Sequence, residues 1–358
     1  MMMMHAQATP ELAIVRELRL LLPQPGDTPP DPASSSFSRI IDGLNVEPER
    51  EINPHVDAIV EPLGAWAQRH GLASEVEIAR RLEQVCFNKL VAQTYPKAPY
   101  EEFLLSAKWC TWLFFHDDWL CDRHESSEQG MVSPEALAVA HRSLLAVLDG
   151  RAPDLNDPLE RSLHEFGAEA KEWGGEEWME RFRDNVRRHF RANEWEARNR
   201  QRRIIPSVAE YIKMRPFAGA VYTAFDFIDL VEDLELSPEV RNHAIFRQLT
   251  LLANNCICWV NDLYSLAKEI FEGNPNNIVL ALREERDLSL GEAMVAAVEL
   301  HNNEYRKFEL LAREIASLGL VADRDLRSYL SGMRSWMLGN AAWSRQTLRY
   351  QELLNMIL

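Results

Sequence analysis

Apolar residues recur at three- and four-residue spacing along almost the whole chain, and period-two alternation is nearly absent. The stretch SEVEIARRLEQVCFNKLVAQ, residues 74–93, carries such a stripe behind a Ser74/Glu77 capping box, which predicts a helix. SPEALAVAHRSLLAVLDG, residues 133–150, opens on Ser-Pro and closes on Gly, the start and stop signals of a second. Residues 237–273 predict two helices, and residues 289–319 one long one. The chain reads as an all-α protein of roughly ten helices or more.

That pattern lapses only near the N-terminus. PQPGDTPPDPASSS is rich in Pro and Ser and poor in apolar residues, which sets residues 1–36 apart as a flexible leader to one domain over 37–358. Hydrophobic content of 46% and charged content of 26% are ordinary for a globular protein, so composition alone selects no special class. A net charge of −16 argues against nucleic acid as a partner, although local cations could still collect an anionic substrate. The five cysteines are odd in number and lack CxxC spacing, which points to reduced thiols in a cytoplasmic protein. No apolar run approaches the ~18 residues of a membrane span. The first residues also lack the apolar core and cleavage site of a secretory signal.

Within the helical pattern, polar residues stand where apolar ones are expected. In NDLYSLAKE, residues 261–269, Asn261, Ser265 and Glu269 fall on one slowly drifting stripe. Asn and Ser are poor helix-interior residues unless their side chains are engaged elsewhere. An amide, a hydroxyl and a carboxylate are hard ligands that suit Mg²⁺ better than zinc. Mg²⁺ shares its shell with phosphate oxygens, so the implied substrate carries phosphate, and Lys268 is placed to help hold it. A second acidic group, Asp117, Asp118 and Asp122 in FFHDDWLCD, comes directly after the apolar WCTWLFF. Carboxylates so close at the end of a buried helix need a cation or solvent between them. A third, Asp226, Asp229 and Asp233, reads as a solvated or locally paired face. Arg215 precedes Pro216, with Gly219 one turn later, a place for irregular backbone. Arg349 and Tyr350 stand side by side near the C-terminus.

Taken together, these residues resemble the class I terpene synthases, the bacterial terpene cyclases in particular. Asp117, Asp118 and Asp122 match the family's aspartate-rich motif, in DDxxxD spacing where DDxxD is commoner. Asn261, Asp262, Ser265 and Glu269 match its N-D-x-x-S-x-x-x-E triad, with Lys268 in the usual place. Arg215, 46 residues before Asn261, matches the diphosphate-sensing arginine. Gly219 stands where the effector carbonyl is expected, and Ala218 stands where the family often has Asp. Arg349 and Tyr350, about 80 residues past the triad, match the paired Arg-Tyr. The likeness covers roughly residues 40–355.

The resemblance implies a single α-helical bundle around a cavity. Two acidic walls would hold three Mg²⁺ ions, with Mn²⁺ able to substitute. Arg215, Lys268, Arg349 and Tyr350 would bind the diphosphate. The reaction would be ionisation and cyclisation of a linear isoprenoid diphosphate, a carbon–oxygen lyase activity. Farnesyl diphosphate is the first choice, and geranylgeranyl diphosphate the alternative. A homodimer is compatible with this reading. Phe114 is the aromatic residue best placed to face a carbocation, with Phe115, Tyr222, Phe225 and Trp336 behind it. Three other readings compete. A prenyl chain-elongating synthase would need a second aspartate-rich motif in place of NDLYSLAKE. An HD-type phosphohydrolase could use His116-Asp117 but needs further His and Asp ligands. A helical scaffold predicts no dependence on Mg²⁺.

Overall fold

A computed structural model describes residues 10–22, 36–46, 51–74, 76–77, 80, 85–121, 132–317 and 324–350. Among them the chain is helical with no strand. The first helices are α1 (Pro10–Leu21), α2 (Ser36–Ile41), α3 (Val60–Arg69), α4 (Phe87–Thr94) and α5 (Tyr100–His116). Next come α6 (Pro134–Leu148), α7 (Pro158–Arg202), α8 (Val208–Ala218), α9 (Val221–Glu232) and α10 (Pro238–Asn242). The last are α11 (Ala244–Glu272), α12 (Ile278–Arg286), α13 (Leu290–Ser317) and α14 (Arg324–Gln346).

Local chemistry sets most of these boundaries. Ser133 accepts a hydrogen bond from the Ala136 amide at 3.1 Å to start α6, with Pro134 in the first turn. The expected pair over 237–273 is α10 and α11, and the expected long helix is α13. The 74–93 stretch differs from its expectation. Ser74 Oγ does accept from the Glu77 amide at 3.3 Å, but Val85 and Cys86, the latter at φ 58°, are not helical, so the stretch is not one continuous helix. In α7, Gly175 at φ 72° interrupts a 45-residue run, a conformation that costs an L side chain far more than glycine.

Part of the leader belongs to the core. Leu18 and Leu22, on and just after α1, are 0% and 4% exposed. Glu17 accepts from Arg283 at 2.6 Å and from the Leu290 amide at 2.8 Å. Residues 23–35, which hold most of the Pro/Ser-rich stretch, lie outside the described residues.

The main core runs through α5. Trp109 and Trp112 stack at 5.3 Å, and their indole N–H groups donate to Thr223 Oγ1 and the Leu159 carbonyl. Around this centre α11 packs between α13 and α14, α4 lies on α14, and α6 lies on α7. All five cysteines are buried free thiols. No described helix is long and apolar enough to cross a membrane.

The third acidic cluster is paired but not solvated. Asp226 and Asp229 are 3% and 5% exposed. Asp226 accepts from Arg181 at 3.1 Å and Asn185 at 2.7 Å, and Asp229 from Arg181 and from Arg241 at 2.6 Å. These partners come from α7 and α10, so sequence-local spacing could not reveal them. Asp233 ends α9 at the surface.

Candidate active site

The C-terminal end of α5, the middle of α7, the α8–α9 junction, α11 and the short helical segment after α14 enclose one cavity. Asp117, Arg215, Gly219, Lys268, Arg349 and Tyr350 line it, together with the Asn261–Ser265–Glu269 stripe. α5 ends in a π-helical turn, Asp117–Cys121. Such turns insert one residue and rotate the side chains beyond it, and they concentrate at functional sites. Here Asp117 faces the cavity, while Asp118 accepts from Arg349 Nη2 at 3.1 Å. Asp122 lies outside the described residues.

Arg215 is anchored from behind. Asp262, wholly buried, accepts from Arg215 Nε at 2.8 Å, from Tyr211 Oη at 2.7 Å and from the Ile278 amide at 3.2 Å. Burial opposes the guanidinium charge, but the Asp262 carboxylate beside it keeps the group protonated, well above its ordinary value. Arg215 Nη2 donates to Asn261 Oδ1 at 2.8 Å, which joins the arginine to the oxygen stripe. α8 ends at Gly219 and α9 begins after Ala220, at φ 55°. A Cβ on Gly219 would stand 2.7 Å from Cys258 Sγ and 3.3 Å from Arg215 Nη1. The guanidinium therefore lies directly against the helix break, with Ala218 contributing no carboxylate between them.

The oxygen stripe is tightly held. Asn261 Nδ2 donates to Tyr350 Oη at 2.7 Å. Ser265 Oγ lies 2.8 Å from Glu269 Oε1, and Asn277 Nδ2 donates to Glu269 Oε2 at 2.7 Å. Burial, and then the Asp262 charge, push the Glu269 carboxyl up to about 8. A set of amide, hydroxyl and carboxylate oxygens, half-buried at Asn261 and Glu269 and buried at Ser265, fits a hard divalent cation. Across the cavity, Asp117 adds a carboxylate that is 40% exposed.

Phe114 lines the cavity, but one ring face is committed. The Arg349 guanidinium sits 5.2 Å from its centroid, and Phe87 packs at 4.6 Å. Trp336 also lines the cavity, whereas Phe115 and Phe225 are core residues, each 1% exposed. Among the contributors outside the sequence motifs are His189, Asn193 and Glu196 of α7. Their signal is a polar i, i+4, i+7 stripe between buried aromatic neighbours such as Phe190 and Trp195. The histidines that an HD hydrolase would need do gather near His116. However, His116 Nε2 is 3.1 Å from His141 Nε2, and its ring stacks on Trp112 and Phe190, an arrangement of a packed core.

Residues 108–307 match the family model described as terpene synthase family 2, C-terminal metal binding. The chain is 36% identical to a (+)-T-muurolol synthase of Roseiflexus castenholzii, described as (2E,6E)-farnesyl diphosphate cyclizing, over 84% of this chain and 90% of the relative. It is 31% identical to a 4-epi-cubebol synthase of Streptosporangium roseum with the same description, over 84% and 89%. In fold it is similar to 2-methylisoborneol synthase from Streptomyces coelicolor, with TM-score 0.78, 23% identity, and 86% and 97% of the two chains covered. A metal-binding match over more than half the chain, coinciding with the cavity just described, makes this protein a member of the class I terpene synthases of the bacterial terpene cyclase type.

Proposed function

We propose that the protein ionises farnesyl diphosphate and cyclises the resulting cation to a sesquiterpene, releasing diphosphate. The observation that carries this reading is a single cavity with two chemically opposed ends. One end gathers Arg215, Lys268, Arg349 and Tyr350 beside the oxygen donors Asp117, Asn261, Ser265 and Glu269. The rest of the wall is largely apolar, including Leu113, Ala224, Ile257 and Trp336. The relatives described as cyclizing farnesyl diphosphate support the choice of chain length.

Asn261, Ser265, Glu269 and Asp117 would hold Mg²⁺, three ions by the family pattern, with Mn²⁺ able to replace it. Bound Mg²⁺ supplies Lewis-acid stabilisation of the departing diphosphate. Arg215 contributes fixed positive charge that Asp262 has already oriented, so little reorganisation accompanies charge separation. Arg349 is positioned by the Phe114 face and Asp118, and Tyr350 by Asn261. The apolar wall excludes bulk water, and ring faces stabilise positive charge.

The test is incubation of the purified full chain with geranyl, farnesyl or geranylgeranyl diphosphate and Mg²⁺. Diphosphate release and volatile products are measured together. Cyclic C15 products from farnesyl diphosphate are expected. Preferential turnover of geranylgeranyl diphosphate would overturn the chain length, and no release from any of the three would overturn the reading itself.

A further inference from the structure

Two cavity-lining groups on α7 share an unusual property. His189 and Asn193 are each 2% exposed, and both line the cavity. His189 Nδ1 lies 3.1 Å from the Phe217 carbonyl. A carbonyl only accepts, so Nδ1 carries the proton and Nε2 presents a lone pair. Asn193 Nδ2 donates to Cys121 Sγ at 3.2 Å, which turns Oδ1 the other way. Among the described residues, His189 Nε2 and Asn193 Oδ1 are both buried without a protein partner. Buried polar atoms in native proteins are nearly always satisfied, so an orphan pair beside a cavity calls for a ligand.

The polarity of the pair selects that ligand. Both atoms are acceptors, so an anion has nothing to bind there. A neutral imidazole is a poor ligand for the hard cations that suit the carboxylates of this cavity, the nearby Asp117 included. The two residues are one helical turn apart, with Cβ atoms about 5–6 Å from each other, a span that one water can bridge. A water that donates one proton to each acceptor has both protons turned to the protein and its remaining lone pairs turned outward, as a nucleophile for a cation requires.

We propose that His189 and Asn193 seat a water that captures the final carbocation, so that this enzyme makes a terpene alcohol. This rests on the cyclase reading above. The water oxygen forms a C–O bond to the cationic carbon, and the O–H bond facing His189 breaks. Its electrons remain on oxygen, and its proton passes to Nε2. The imidazolium is discharged to the released diphosphate, an anion already present in the cavity. With Nδ1–H committed to the Phe217 carbonyl, the Nε2 lone pair is the one turned to the water. An alkyl oxonium is a far stronger acid than an imidazolium, so this base accepts the proton.

The experiment is turnover of farnesyl diphosphate with Mg²⁺ in H₂¹⁸O, with mass analysis of products beside a diphosphate-release assay. The wild-type product is expected to carry one ¹⁸O. His189→Phe and Asn193→Leu should lower the alcohol-to-hydrocarbon ratio at least tenfold while diphosphate is still released. His189→Gln, which keeps an acceptor oxygen, should retain more alcohol than His189→Phe. Diphosphate release with only unlabelled hydrocarbon from the wild type would overturn the proposal and leave the cyclase reading standing. An unchanged alcohol share in both variants would overturn it equally. Absence of diphosphate release from the wild type would remove both together.

Discussion

Asp262 gives the sharpest prediction, because its entire role is set by geometry. It sits next to the triad Asn261, yet it accepts from Arg215, Tyr211 and the Ile278 amide in a site with no exposure. Asp262→Ala would leave a buried guanidinium uncompensated and the Ile278 amide unpaired, with Tyr211 Oη left only its 3.4 Å contact to the Asn276 carbonyl. Breaking one side of a buried pair costs about 3–5 kcal/mol. With an unfolding entropy of roughly 2.1 cal/mol/K per residue over 358 residues, that loss lowers Tm by about 4–7 °C. Diphosphate release should fall as well, since Arg215 loses its anchor. The informative step is the double variant Arg215→Met/Asp262→Ala, which removes both charges. It should be less destabilised than the sum of the two single variants by at least ~2 kcal/mol, because neither charge is then stranded. Thermal and urea unfolding of all four proteins supplies the cycle. Additivity within about 0.5 kcal/mol would refute the anchoring argument.

The metal site, the aromatic wall and the N-terminal helix each give a further expectation. EDTA should abolish turnover and added Mg²⁺ or Mn²⁺ restore it, and Asn261→Ala or Glu269→Ala should each cut diphosphate release at least ~100-fold with little change in Tm. Near-normal release from either variant would remove the triad from the site. Phe114→Leu removes a ring worth ~0.5–2 kcal/mol to a cation. It should loosen Arg349, seen as a raised KM, and shift the product mixture, since about 1.4 kcal/mol changes a ratio tenfold. Gas chromatography beside kinetics separates the two effects. Deleting residues 1–22 exposes the seats of Leu18 and Leu22, each worth about 1.5–3 kcal/mol. It should therefore lower Tm measurably, and an unchanged Tm would show that α1 contributes nothing to the core.

The N-cap at Ser133, the two helices within 237–273, the long helix after 289 and the oxygen stripe from Asn261 to Glu269 were legible in the sequence. Each depends on residues within about two helical turns, where the 3.6-residue repeat alone fixes which side chains are neighbours. The same holds for the expectation that Asp117 and Asp118 close a buried helix. Which of the two faces the cavity was not legible. It depends on a π-helical turn and on Arg349, 231 residues away, whose guanidinium claims Asp118. Asp262 has the motif's residue identity, but its function as the seat of Arg215 exists only once α8 and α11 pack together. The buried partners of Asp226 and Asp229, the docking of Leu18 and the orphan acceptors on His189 and Asn193 belong to the same class. Periodicity records how often a side chain faces inward. The groups it meets there are set by helix crossings between segments far apart in the chain, and in this protein those crossings build the cavity.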